Sequence, residues 1–230
     1  MRGRGGFRIC PPGGRRYNSV VNQFVRSWRH PPTQKPRFTR IVRVVQVKPP
    51  YHLRLRYNKF KSRLEKRGKF SRRRLPKGNE RRRWHGTAIG NCQFLQPNLR
   101  RDGHCESSRR CIICSIINTG FRKPKPTPGR RELFGFGMYF SSTSSKSDDY
   151  TGARVLGMAK PAPGVRAILL CKVAVGRACK VRTAQQQRTR APRGFNSVIG
   201  QPGLLPGLNY DELVTYNVAQ NTPAFVIVYA

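Results

Sequence analysis

The chain reads as an α+β domain dominated by β structure. Three observations predict this. Short apolar runs bounded by Gly and Pro outnumber helical periods along its 230 residues. Ile41 to Val47 (IVRVVQV), Arg166 to Val175 (RAILLCKVAV) and Ala224 to Tyr229 are rich in the β-branched and aliphatic residues of buried strands. Only Tyr17 to Trp28 and Tyr51 to Arg67 repeat their apolar residues with a helical period. The length suits one domain with a tail and is enough to bury a core.

Residues 1–16 are Arg, Gly and Pro with little that could enter a core, and a disordered tail is expected there. Such a tail either contacts RNA weakly or is simply solvated. The remainder, 17–230, is expected to be one domain with its core in 79–229. Val20, Val21, Phe24, Val25 and Trp28 fall on one helical face, and Pro31, Pro32 and Pro36 end that helix. Ile41 to Val47 is a strand closed by Pro49 and Pro50. Tyr51 to Arg67 is a basic helix with Leu53, Tyr57, Phe60 and Leu64 on one face. Arg72 to Arg74 and Arg81 to Arg83 then flank Pro76 to Glu80, as a nuclear-import signal or a phosphate-binding patch would. A Cys-rich loop runs to Cys114, Ile112 to Ile117 is apolar, and Lys123 to Arg131 is a Pro/Lys linker. After Arg166 to Val175, Gly176 turns the chain. Gln185 to Arg193 is a polar loop, Asn196 to Ile199 a short strand, and Glu212 to Tyr216 and Ala224 to Tyr229 are the last two strands.

The stretch around which these pieces are arranged is Phe134 to Tyr150, FGFGMYFSSTSSKSDDY. Gly135-Phe136-Gly137 is a turn, and Met138-Tyr139-Phe140 is a short strand. The Ser/Thr run that follows suits a helix start, because hydroxyls satisfy the free N–H groups of a first turn. Strand, turn and helix so close together can hold two tyrosines and a serine around one small planar ligand. The plainer reading is a buried strand followed by a solvated Ser-rich loop.

Charge constrains partners more than fold. Lys and Arg number 47 against nine acids, a formal net charge of +38. Such an excess attracts RNA, DNA or a nucleotide, although Arg scattered this widely is also a compositional habit of some genomes. The seven cysteines are an odd number, and the opening MRGRGGFRICPPGG has no apolar leader segment. The longest apolar runs fall far short of the roughly 20 residues of a membrane span. An intracellular protein with reduced thiols is expected, in the nucleus rather than the cytoplasm.

Two further pieces carry chemistry. His85-Gly86-Thr87 follows Trp84 directly, and Gly86 allows the backbone to approach a ligand closely. Glu212 opens an apolar strand in a chain poor in acids, and alternation puts it on the face of Val214 and Tyr216. A solvated histidine and a turn carboxylate are the plainer readings.

Taken together and in order, WHGT, FGFGMYFSSTSSKSDDY, NSVIG and DELVTYNVAQNTPAFVIVY resemble the catalytic domain of poly(ADP-ribose) polymerases. The resemblance covers about Asn79 to Tyr229 and includes the family's His-Tyr-Glu triad. It implies an ADP-ribosyltransferase fold of two packed antiparallel sheets with a few flanking helices. It also implies NAD+ as co-substrate and catalytic roles for His85, Tyr139 and Glu212. His85 would bond a ribose hydroxyl on the adenosine side. The Gly86 backbone and the Ser147 hydroxyl would hold the carboxamide, Tyr139 and Tyr150 would sandwich the nicotinamide ring, and Thr87 and Lys146 would stand in the same pocket. Glu212 would bond the nicotinamide-ribose 2′-hydroxyl. The implied reaction is cleavage of the nicotinamide–ribose bond with transfer of ADP-ribose, mono or poly, to protein acceptors. An acceptor-side loop within Thr183 to Gly207 would govern elongation, and nucleic-acid ends are further acceptors in keeping with the charge. The alternatives are a catalytically inactive basic nucleic-acid-binding protein on the same fold, and an NAD glycohydrolase. About 84 residues precede the His motif, which suggests a compact catalytic module, constitutively active or governed by partners.

Cys92, Cys105, Cys111 and Cys114 lie between the His and Tyr motifs, with His104 beside Cys105. Cys111-x-x-Cys114 has the short bite of a zinc site, and four sulfurs would close a structural one. The alternative is a set of small buried hydrophobes. Relatives that carry a Cys-rich zinc insertion have it after the Tyr motif, so this position does not carry over from them.

Overall fold

The computed structural model of the chain describes residues 5–35, 37–89, 92–96, 99, 111–124, 132–151, 164–203 and 207–230. In chain order the regular elements are β1 (Gly6–Cys10), α1 (Arg15–Arg26), β2 (Ile41–Lys48), α2 (Tyr51–Gly68), β3 (Glu80–His85), α3 (Ile112–Thr119), β4 (Met138–Phe140) and α4 (Ser144–Asp148). They continue as β5 (Arg166–Ala174), β6 (Ala178–Val181), β7 (Ser197–Gly200), β8 (Glu212–Thr215) and β9 (Asn221–Tyr229). Two sheets result. The larger runs β1-β2-β9-β5-β3, antiparallel throughout. The smaller runs β4-β8-β7-β6, antiparallel except for the parallel β6–β7 pair. This is the α+β architecture of two sheets with flanking helices that the sequence predicts. No helix among the described residues is long and apolar enough to cross a membrane.

β5 and β9 are central and buried on both faces, which is why their sequences read as continuous apolar runs. One face, with Ile168, Leu170, Ile227 and Tyr229, packs under α1 against Val20 and Phe24. Phe24 sits 5.6 Å from the ring of Trp84 and 4.8 Å from that of Tyr229. The other face, with Leu169, Cys171, Val226 and Val228, packs on α3 and on Met138, Phe140 and Leu213 of the smaller sheet. The larger sheet is therefore the middle layer, with α1 on one side and α3 plus the smaller sheet on the other.

Two expectations change. Within the tail expected over residues 1–16, Gly6–Cys10 form β1 and α1 starts at Arg15, while residues 1–4 lie outside the described residues. β1 pairs with β2, Cys10 is buried, and Phe7 packs edge-on against Phe94 at 5.5 Å. Ladder hydrogen bonds and two anchoring side chains order a segment whose composition reads as disordered. Arg81 to Arg83, read as part of a nuclear-import signal or a phosphate-binding patch, form the middle of β3 against β5. Arg82 and Arg83 are half-buried there, and burial lowers the pKa of both. β6 was also absent from the sequence reading, because Ala178 to Val181 is too short to alternate visibly.

Phe24 touches three other aromatic rings besides Trp84. Truncating Phe24→Ala is expected to destabilise the fold by about 3–5 kcal/mol, read from the midpoint shift in urea unfolding.

Candidate active site

The site forms where the two sheets meet. Trp84 donates its N–H to the Ser141 carbonyl (2.8 Å) and accepts the Ser141 N–H (3.0 Å), joining the end of β3 to the end of β4. The Trp84 indole is fully buried and donates to the Ser27 hydroxyl at 2.9 Å. With Trp84 turned to the α1 side, strand alternation turns His85 the other way. His85 lies against the Phe121 and Phe140 rings at 5.1 and 5.3 Å, and its Nδ1 is 2.8 Å from the Tyr139 carbonyl oxygen. A carbonyl only accepts, so Nδ1 carries the proton and Nε2 is left as an acceptor. Burial lowers the His85 pKa, with the carbonyl opposing in part, so the neutral ring is favoured.

Gly86 lies one residue beyond the last β3–β5 pair, His85↔Leu169, so its peptide groups are outside the ladder. A Cβ at Gly86 would overlap the Ser147 carbonyl oxygen, and no other residue fits there without moving α4. Gly137 is required for a similar reason: a side chain would collide with Val214 and hold β4 off β8. Gly135 takes φ +73° at the turn, packed against the backbone of Arg188. Phe136 N–H also donates to the Arg188 carbonyl at 2.8 Å, which docks the polar 185–193 loop on this turn. The Tyr139 hydroxyl donates to the Gly135 carbonyl (2.8 Å) and accepts the Phe134 N–H (3.0 Å), so its own turn fixes the ring. Burial raises the pKa of this phenol well above its usual value.

The Ser/Thr run does start a helix, α4, but not by the capping expected. Thr143, at the N-cap, makes no side-chain cap bond. The hydroxyls serve tertiary contacts instead. Ser144 donates to the Phe24 carbonyl at 2.8 Å, and Ser145 accepts the N–H groups of Arg29 and His30. Asp211 holds the turn ahead of the helix, accepting Ser142 N–H at 3.0 Å and the hydroxyls of Ser141 and Ser142 at 2.9 and 2.7 Å. At the other end Asp148 is buried among Lys35 (2.8 Å), Arg166 (2.9 Å) and the Tyr229 hydroxyl. A helix of five residues is thus pinned at both ends by carboxylates. Neither Asp148 nor Asp211 stood out in the sequence.

Glu212 begins β8, opposite Gly200 of β7, and is buried. Its Oε1 accepts from Lys146 Nζ at 2.7 Å, and the same ammonium reaches the Tyr210 carbonyl at 3.1 Å. The other oxygen, Oε2, is buried and has no hydrogen-bond partner among the described residues. A buried carboxylate oxygen without a donor is costly unless a ligand supplies one.

These elements surround a cavity of about 280 Å³. All eight site residues anticipated from the sequence line it: His85, Gly86, Thr87, Tyr139, Lys146, Ser147, Tyr150 and Glu212. Tyr139 is inside and Tyr150, half-exposed, stands at the rim. The sequence reading missed the facing wall. Ile112 and Ile116 of α3 line it, followed by Phe121 and the exposed Arg122. The signal was there in the i, i+4 isoleucines and in an arginine two residues after Gly120, which ends the helix with φ +82°.

The cysteines converge beside the same wall. The sulfurs of Cys92, Cys111 and Cys114 all lie within 4.8 Å of one another, and Cys92 and Cys114 are 4.0 Å apart. Cys111 Sγ accepts the Cys114 N–H at 3.4 Å at the start of α3. All three are buried in the core cluster. Cys105 and His104 lie outside the described residues.

A family model, the poly(ADP-ribose) polymerase catalytic domain, matches residues 105–206. The span holds Tyr139, Lys146, Ser147 and Tyr150, while His85 and Glu212 flank it and reach the same cleft through β3 and β8. Residues 105–206 are thus similar to the catalytic domain of the poly(ADP-ribose) polymerases, a family of NAD+-using ADP-ribosyltransferases.

Proposed function

We propose that the protein is an NAD+ ADP-ribosyltransferase that cleaves the nicotinamide–ribose bond and passes ADP-ribose to protein acceptors. The observation that carries this reading is Glu212, a buried carboxylate with one oxygen on Lys146 and the other unpartnered at the cleft. A ribose 2′-hydroxyl would donate to Oε2. When the bond between the nicotinamide nitrogen and the ribose C1′ breaks, its electron pair leaves with nicotinamide and C1′ becomes cationic. A fixed carboxylate beside that carbon stabilises the transition state more than the ground state. An acceptor side chain then donates a lone pair to C1′ and loses a proton. Lys146 would hold the carboxylate in position.

The other residues suit the rest of the substrate. Nicotinamide is flat, and Tyr139 and Tyr150 would take its two faces. Its carboxamide both donates and accepts, as the Gly86 peptide outside the ladder and the Ser147 hydroxyl would require. Thr87 would add a hydroxyl beside them. His85 Nε2 would accept from a hydroxyl of the adenosine-side ribose. Arg122 would meet the pyrophosphate. The 185–193 loop docked on the Gly135 turn lies within the segment proposed to govern mono against poly transfer. We also assign the cysteine cluster to structural zinc. Sulfurs bound tetrahedrally at about 2.3 Å lie roughly 3.8 Å apart, near the separations here, and Cys105 would be the fourth ligand.

Replacing Glu212→Gln is expected to cut transfer from labelled NAD+ by about 10²–10³-fold while NAD+ still binds. If the parent releases nicotinamide but labels no protein, water is the acceptor and the protein is a glycohydrolase. If it releases none, the fold serves binding alone.

pH gives a second check. The His85 pKa is lower in the fold than the usual value of about 6.5. As pH falls below about 6.5 the unfolded chain takes up the proton first, so stability is lost until the pH passes the folded value. The thermal midpoint of the parent is expected to fall over that window more than that of His85→Gln. Protonation of the folded protein, which comes only as the pH falls through the lower folded value, also removes the Nε2 acceptor, so NAD+ affinity is expected to weaken at the bottom of that window in the parent alone.

Metal analysis of the purified protein is expected to find about one zinc per chain, lost in Cys114→Ser. A metal-free parent whose thermal midpoint ignores chelators would make the cysteines ordinary buried thiols.

A further inference from the structure

The opposite face of the larger sheet carries a second concavity. α1 covers one end of that face, through Val20 and Phe24, and α2 covers another, through Tyr57 and Leu64 on Ala174. Between the helices lie two adjoining cavities of about 710 and 510 Å³, which share Arg8, Arg16, Gln46 and Phe225. Arg8, Gln46 and Phe225 are cross-strand neighbours on β1, β2 and β9, so the floor crosses the sheet.

The lining is basic. Arg8, Arg16, Lys48, Arg54, Lys61 and Lys172 line it, and no Asp or Glu does among the described residues. Arg8, Arg16, Lys48 and Lys172 are exposed, and none of the four has a side-chain hydrogen bond or ion pair among the described residues. Glu80, bonded to two of the lining residues, is already held by Lys61 and the Tyr57 hydroxyl, each at 2.7 Å. At the edge of the floor Arg82 donates to Ser19 at 2.8 Å and stands 5.8 Å from the Phe225 ring centroid. Its Nε and Nη2 are buried with no partner among the described residues.

We propose that this groove binds a single-stranded nucleic acid along its phosphate backbone. Like charges gathered in one groove repel unless an anion joins them. A spaced series of cations along a groove matches a linear chain of phosphates better than one compact anion. The half-buried Phe225 on the floor offers a base a ring to stack on, which a paired duplex withholds. The groove shares no lining residue with the NAD+ cleft and lies across the sheet from it, so the proposal stands apart from the transferase reading.

The test is fluorescence anisotropy of the whole protein with a short labelled oligouridylate, its deoxy counterpart, and a duplex of equal length. Three proteins are compared: the parent, a groove variant (Arg8→Glu, Lys48→Glu, Lys172→Glu), and a control (Lys59→Glu, Lys66→Glu, Arg67→Glu). The control residues are exposed on α2 outside the groove and change the net charge equally. Circular dichroism confirms that each variant is folded. Losing three phosphate contacts is expected to weaken single-strand binding about 100-fold at ~0.1 M salt and to flatten the log–log salt slope by about 2. The control is expected to stay within a few-fold of the parent. Phe225→Leu is expected to cost roughly 5- to 10-fold with the slope unchanged. Equal losses in groove and control variants, or tighter binding of the duplex than of either single strand, would overturn the proposal.

Discussion

The molecule depends on the seam between Trp84 and Ser141. Two backbone hydrogen bonds join strands from different sheets there, and the indole of the same tryptophan is buried under α1. Both directions of the seam matter. Toward α1, Trp84 enters the aromatic cluster with Phe24 and Tyr229, which holds the larger sheet to its helix. Toward the cleft, the next residue is His85, whose ring meets the Tyr139 carbonyl only because β3 and β4 are joined one residue away. A shift of one residue at this seam would reverse the two faces and send the histidine into the aromatic core.

Glycine completes what the seam begins. Gly86 lets the chain pass the Ser147 carbonyl, and Gly137 lets β4 reach β8. Each removes a side chain where two backbones must touch, so the cleft walls stand at backbone distance rather than side-chain distance. Around them, carboxylates fix positions rather than balance charge. Asp211 holds the turn before α4, Asp148 anchors its end to β5 and β9, Glu80 ties α2 to β3, and Glu65 accepts the N–H groups of Ser71 and Gly78. In a chain with nine acids and 47 cations, these acids are used inside the fold, and most cations are left without an acid. Glu212 differs from these in that one of its oxygens is buried without a donor among the described residues.

The same division separates the two concave surfaces. The cleft is mainly apolar, with aromatic rings and few polar groups, and suits one small ligand. The groove across the sheet is open and basic, and its cations are spread over α1, α2 and three strands. They come from distant parts of the chain, so the uniform scatter of Arg in the sequence gives no hint of a local surface.

Much was legible beforehand, and the reason is local. Val20 and Phe24 at helical spacing, Ile41 to Val47 and Ala224 to Tyr229 declare their elements, because the period of burial is written along each one. His85, Gly86, Tyr139, Ser147, Tyr150 and Glu212 were expected as a set through the resemblance to a known family, and the fold brings all six to one cavity. What the sequence alone did not decide was what depends on partners far along the chain. β1 exists because β2 offers a free edge, and the arginines of β3 lie in a strand because β5 pairs with them. The Ser/Thr run caps nothing, since its hydroxyls find better partners in the α1 region and Asp211. Residue types and their local periods come from the sequence. Which donor meets which acceptor came only from tertiary structure, because a hydrogen bond is decided by distance in space, not by separation along the chain.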